Sequence, residues 1–143
     1  LKTGKRVRGI NLLFTDVDVH VSTYIGLPYV YSFEKAGSGC GVISSQAVGA
    51  IDTAAIWMSR SGFWIYDGYV KPLVSDVGDY VFQNMNYNQC SKVYCVHNSK
   101  YGESRHCGTN TTNANGSVHL ASHISRASAA ASMCSSRKGG LTS

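Results

Sequence analysis

AAIWMSRSGFWIYDGYVKPL, residues 54–73, decides the fold. Two apolar, aromatic-rich runs, Ala55 to Met58 and Phe63 to Tyr66, flank the short loop Ser59-Arg60-Ser61-Gly62. Runs of about four strand-forming residues around a polar loop that ends in glycine spell a β-hairpin, the glycine being expected at a positive φ. Asp67-Gly68 marks a second tight turn, and Tyr69-Val70 opens a third strand that Pro72 limits. Short strands joined by tight turns form a meander, the unit of antiparallel sheets and propeller blades. Side chains alternate along a strand, so Phe63 and Ile65 share one face while Trp64 and Tyr66 share the other. Large apolar groups on both faces imply that both are covered. Trp57, Phe63 and Trp64 are therefore expected to anchor the packing, with truncation of either tryptophan to Ala costing about 3–5 kcal/mol.

Outward from this centre the same period of two recurs. Val17, Val19 and Val21 alternate with Asp18 and His20, which predicts a strand near 17–24 with His20 on its polar side. Beyond Gly26 and Pro28, Tyr29, Tyr31 and Phe33 alternate with Val30 and Ser32, a strand at 28–34. Downstream, Val77, Tyr80, Val81, Asn84 and Met85 fall at helical spacing after the N-cap types Ser75 and Asp76, which predicts one short helix at 76–85. Lys92 to His97 alternates again as a strand and ends at the turn Asn98 to Gly102.

Composition divides the chain at about residue 103. The 143 residues suffice for one domain with a sizeable core. All 15 aromatics lie between Phe14 and Tyr101, and the 40 residues from Ser104 on hold none. The body to Glu103 is nearly neutral, whereas the tail carries Arg105, Arg126, Arg137 and Lys138 without an acid. The basic balance therefore belongs to isolated tail residues and forms no basic stripe interleaved with aromatics, against a nucleic-acid surface. Three segments follow: a frayed basic N-terminus (1–11), a β-rich body (12–103) and a Ser/Ala/Thr-rich tail (104–143). The tail is expected to be disordered, with a marginal helix over 122–138 as the alternative. Five irregularly spaced cysteines do not make a disulfide framework, and no apolar run has the length of a membrane span. A start at Leu1 in place of Met suggests a piece of something longer, or a processed chain.

Candidate chemistry is thin. Gly37, Gly39 and Gly41 turn the chain around Cys40 without the order or the trailing Lys-Ser/Thr of a phosphate loop, and Cys40 reads as a packed thiol. Cys90, Cys95, His97, His106 and Cys107 lie within 18 residues, but Val93 would share the strand face of Cys95 and His97, the wrong surroundings for a zinc ligand set. The tail histidines His119 and His123 add nothing to it. Asp67 before a glycine, Asp76 at a helix start and Asp79 have structural reasons for their positions. No catalytic residue, cofactor or metal is expected. The residues expected to carry structure or contact are Trp57, Phe63, Trp64, Tyr66, Asp67, Gly68, Tyr80, Phe82 and Tyr94.

Three segments, DVDVHVSTYIGLPYVYSFEKAGSGCGVIS (16–44), AIDTAAIWMSRSGFWIYDGYVKPLVSDVGDYVF (50–82) and NYNQCSKVYCVHNSKYGE (86–103), together resemble a family of phage tail proteins related to head-to-tail stabilisation and nozzle proteins of tailed bacteriophages. The resemblance implies a partial β-propeller-like body and a non-catalytic virion role in a ring around the DNA axis. Its implied partners are other copies of the chain and neighbouring tail or portal proteins, with DNA in the lumen as a passive neighbour. It implies assembly in the bacterial cytoplasm and residence in the virion. It also implies a strongly aromatic strand after Tyr101-Gly102-Glu103, where SRHCGTNTTNANGS stands instead. True divergence and a shifted reading frame both account for the change, the second being favoured by its abruptness. Either way Lys92–His97 is expected to lack a partner strand, which predicts an oligomeric or poorly soluble chain and better behaviour once the aromatic strand is restored. The alternative function is a carbohydrate- or host-surface-binding β module, with Tyr66, Tyr69 and Tyr87 as stacking candidates.

Overall fold

A computed structural model describes residues 1–51, 53–74, 78–98, 100, 103–108 and 122–125. The protein is mainly β, built of antiparallel meanders with one short helix. The first sheet runs β1 (Thr3–Val7), β2 (Ile10–Phe14), β3 (Val19–Tyr24) and β4 (Tyr31–Gly37) in chain order. The second repeats the plan with β5 (Val48–Ala50), β6 (Ala55–Met58), β7 (Phe63–Tyr66) and β8 (Val70–Leu73). Helix α1 (Gly78–Asn84) and a 3-10 turn (Tyr87–Lys92) lead into a three-stranded sheet of order β11-β10-β9, with β9 at Tyr94–Asn98, β10 at Glu103–Cys107 and β11 at Ser122–Ser125.

Trp57 sits at the centre, with no exposed surface. Its indole N–H donates to the Cys40 carbonyl at 2.6 Å, and the Phe14 ring meets it edge-on at 5.1 Å between centroids. Across β6 and β7, Trp57 lies opposite Trp64 and Met58 opposite Phe63, so both faces of this hairpin carry large side chains. One face packs with Phe14 of the first sheet and with the buried Cys40 and Val42 of the segment that follows β4. On the other, Phe63 meets Phe82 of α1 at 5.4 Å, and Met58 lies in the same cluster as Val81 and Met85. Trp64 is only partly buried, and its Nε1 has no hydrogen-bond partner among the described residues.

The β6–β7 hairpin has the bounds that the sequence predicts; its neighbours shift. Gly62 is not at a positive φ, the loop closing through Ser59 N–H to the Gly62 carbonyl at 2.8 Å. Pro72 lies inside β8, opposite Trp64, which an edge strand tolerates because the missing N–H faces away from the ladder. Val17 leaves the expected strand because Thr15 and Asp18 close a turn: Thr15 Oγ1 accepts from Asp18 N–H at 2.8 Å, and Thr15 N–H donates to the Asp18 carbonyl at 2.9 Å. The helix begins at Gly78, while the cap residues Ser75 and Asp76 lie outside the described residues. Val81 and Met85 bury its inner face, but Tyr80, expected on that stripe, is exposed.

Two expectations are overturned. The N-terminal 11 residues are not frayed: β1 pairs with β2 from Thr3–Phe14 to Val7–Ile10, and Val7, Leu12 and Phe14 enter the core. The intervening turn places Arg8 and Gly9 at positive φ, the mirror-image geometry that suits tight hairpins. Nor does β9 lack a partner. Tyr94–Asn98 pairs along its length with Cys107–Glu103, and on its other side Cys95 N–H donates to the Gln46 carbonyl at 2.8 Å. The polar segment serves as an inner strand because its inward groups are small or satisfied. Ser104 Oγ lies 3.1 Å from His97 Nδ1, and the wholly buried His106 donates from Nε2 to the Ala47 carbonyl at 3.2 Å. The segment expected to be disordered or marginally helical contributes β11, which pairs with β10; residues 126–143 lie outside the described residues.

His106 makes the docking of β10 sensitive to pH. Burial, only partly offset by the Ala47 carbonyl, lowers its pKa from 6.5 to about 4. The unfolded chain then binds the proton more readily than the folded one between these values, so stability rises with pH across the window and is lost as pH falls through it. Unfolding at pH 5 should cost roughly 2 kcal/mol less than at pH 7 from this residue alone. Urea titrations at the two pH values check this, and His106→Gln should remove most of the difference.

Candidate interaction surface

The β3–β4 connection carries the largest departure from ordinary burial. Tyr24, Ile25, Leu27, Tyr29, Val30, Tyr31 and Phe33 are all exposed, Leu27 at 89% and Phe33 at 66% of their free surface. Single exposed apolar side chains are normal, but a contiguous set marks an interaction surface. The connection is closed by Ile25 N–H donating to the Val30 carbonyl at 3.1 Å, with Gly26 at a positive φ. Pairing Tyr24 with Tyr31 and Ser22 with Phe33 places these aromatics on one face, and the two tyrosine rings meet edge-on at 5.7 Å. That face lies opposite the one on which Val19 and Val21 join the core.

Charge fixes the base of this arm. Lys35 Nζ lies 2.7 Å from Asp18 Oδ2, and the Asp18 carboxyl also accepts from Gly39 N–H at 3.3 Å. The bond from Lys35 is the main reason that the Asp18 carboxyl stays below its usual pKa. The arm itself has no ionised group between Tyr24 and Phe33.

No protein-family model and no curated protein matches the chain.

The residues singled out from sequence occupy different surroundings. Trp57, Phe63 and Tyr66 are buried, so Tyr66 is not available for stacking on a sugar. Asp67 pairs with Lys71 at 2.9 Å, Gly68 beside it has φ 137°, and Arg8 donates to the Asp67 carbonyl. Phe82 is half-buried against Phe63; Tyr80, on α1, and Tyr94, at the start of β9, are exposed. Tyr69 is exposed with Lys71 Nζ 4.3 Å above its ring, and Tyr87 donates its hydroxyl proton to the Phe82 carbonyl. Among the described residues no three Cys, His, Asp or Glu side chains converge on a metal-sized site. Burial pushes the Cys95 thiol up to about 12 and raises that of Cys40, which keeps both protonated.

The arm escaped the sequence reading, which took Tyr29, Tyr31 and Phe33 as ordinary strand residues. Its signal is the run YIGLPYVYSF at 24–33, where a segment broken by glycine and proline, and therefore a turn, is apolar on both parities. Turns at a protein surface usually carry Asn, Asp or Ser.

Proposed function

We propose that the protein is a virion structural protein, a subunit of a phage tail or head-to-tail ring, and that it acts by assembly rather than catalysis. The exposed apolar arm carries this reading, since it offers contact area without an ionised group between Tyr24 and Phe33. The resemblance over residues 16–103 supplies the setting: copies of the chain and neighbouring tail or portal proteins as partners, DNA as a passive neighbour in the lumen, and assembly in the bacterial cytoplasm.

Co-sedimentation of the labelled chain with virion components tests it, set against a glycan array. Replacing Leu27 and Tyr29 together by Asp should weaken association about tenfold or more, because each carboxylate would have to be desolvated at the contact. Folding stability should stay within about 0.5 kcal/mol, as both side chains project into solvent. Binding to glycans that needs Tyr29 or Tyr69, with no affinity for virion components, would replace this reading with surface recognition.

A further inference from the structure

Among the described residues β4 is an edge of the first sheet, pairing only with β3. It is also the longest described strand, at seven residues, and Tyr31, Phe33, Glu34 and Lys35 along it are exposed. Such an edge offers unpaired backbone groups to another strand. At its Gly37 end one face is covered by Val70 of β8, whose Cγ1 lies 3.1 Å from where a Cβ on Gly37 would be. Tyr31 to Lys35 is largely exposed, and its middle residue is Phe33.

We propose that, before it enters the ring proposed above, the free chain pairs as two copies that join β4 to β4 in an antiparallel continuous sheet, across a two-fold axis through Phe33. A two-fold axis perpendicular to a sheet admits only registers centred on one residue, because the two strands must present like faces. Centring on Glu34 or Lys35 sets like charges directly opposite. Centring on Phe33 avoids this. It sets Phe33 against its own copy, Tyr31 against Lys35 of the partner, and Ser32 against Glu34 of the partner. The first is an aromatic pair, the second lays the Lys35 stem along the Tyr31 ring while its ammonium keeps its bridge to Asp18, and the third is a hydroxyl donating to a carboxylate. The pairing would bring Tyr24 and Tyr31 of both copies to one face, covering part of the exposed aromatic patch. In this register the strand meets its own copy with no like charges directly opposite.

Cysteine cross-linking of the full chain reads the register. Phe33→Cys should form a covalent dimer on mild oxidation well above the background from the native thiols. Ser32→Cys and Glu34→Cys should do so when mixed but not singly. Sedimentation equilibrium should show a dimer that Phe33→Lys weakens about tenfold or more, since it replaces the central ring pair by like charges. Circular dichroism and melting confirm that this variant folds, as expected for an exposed position. A monomer at tens of micromolar, or a dimer without cross-linking through position 33, overturns the pairing. If that monomer still co-sediments with virion components, the assembly reading stands and only the edge pairing falls; if it does not, both fall.

Discussion

Trp57→Ala should destabilise the protein by about 3–5 kcal/mol, the range for large aromatic side chains removed from cores. The ring is fully buried, and the loss opens a cavity between Phe14 of the first sheet and the β6–β7 hairpin of the second. It also leaves the Cys40 carbonyl without the indole N–H that it accepts at 2.6 Å. Trp57→Phe separates the two effects, since it keeps an aromatic ring and removes the donor; about 1–3 kcal/mol is expected for the unsatisfied carbonyl. Trp64 corrects the expectation that both tryptophans count alike. It is partly exposed, and its Nε1 is buried with no partner among the described residues, so Trp64→Phe should be close to neutral. Chemical denaturation of the three variants decides this. A loss below about 1 kcal/mol for Trp57→Ala would mean that the core does not depend on the ring.

The hairpin at Ala55–Tyr66 was legible because three signals agree there: strand-forming residues, their length and a loop ending in glycine. Elsewhere the signals conflict. TGKRVRG at 3–9 reads as a charged end, yet Val7 alone of its side chains has to reach the core, while Lys5, Arg6 and Arg8 stay exposed and the backbone pairs regardless. The β10 segment reads as too polar because composition cannot show that Ser104 and His106 find partners in His97 and Ala47, the latter 59 residues away in the chain. Such long-range satisfaction is set by the assembled fold rather than by local propensity. Only the small Gly49 lets β5 approach there: a Cβ on it would lie 2.6 Å from Cys95 Sγ.

The candidate surface failed to appear for the opposite reason. Alternation of Tyr29, Tyr31 and Phe33 gives the same pattern whether the aromatic face meets a core or solvent. What places it outside is the register of β3 with β4, which sets Phe33 opposite Ser22 while Val19 and Val21 take the core side. The hydrophobic pattern therefore announced a strand without announcing an interface. Aromatic residues that did look like interface material, Tyr66 foremost, proved to be core.

Gly41→Ala should be as damaging as a tryptophan truncation, at about 3 kcal/mol or more, although it adds a single methyl group. A Cβ on Gly41 would lie 2.2 Å from the carbonyl carbon and oxygen of Asp16 and 2.3 Å from Val17 N. These are backbone atoms of the tight β2–β3 turn, which Thr15 and Asp18 close, so they cannot swing aside as a flexible side chain would. Moving residue 41 is no easier. Its N–H donates to the Val17 carbonyl at 2.8 Å, Val42 N–H donates to Thr15 at 3.0 Å, and the preceding carbonyl holds the Trp57 indole. Any shift that relieves the clash stretches all three bonds, which couples this glycine to the core. Two other glycines serve as controls. Gly39, at φ 68° in open space, should lose about 1 kcal/mol from backbone strain alone when changed to Ala. Gly62, with open space and no positive φ, should tolerate Ala or gain about 0.4–1 kcal/mol through a stiffer unfolded chain. Urea unfolding of the three variants should therefore rank Gly41 far above Gly39, and Gly39 above Gly62. A Gly41→Ala protein as stable as Gly39→Ala would show that the Gly41–Val42 segment can lift off the turn, and that the Cys40–Trp57 bond does not pin it.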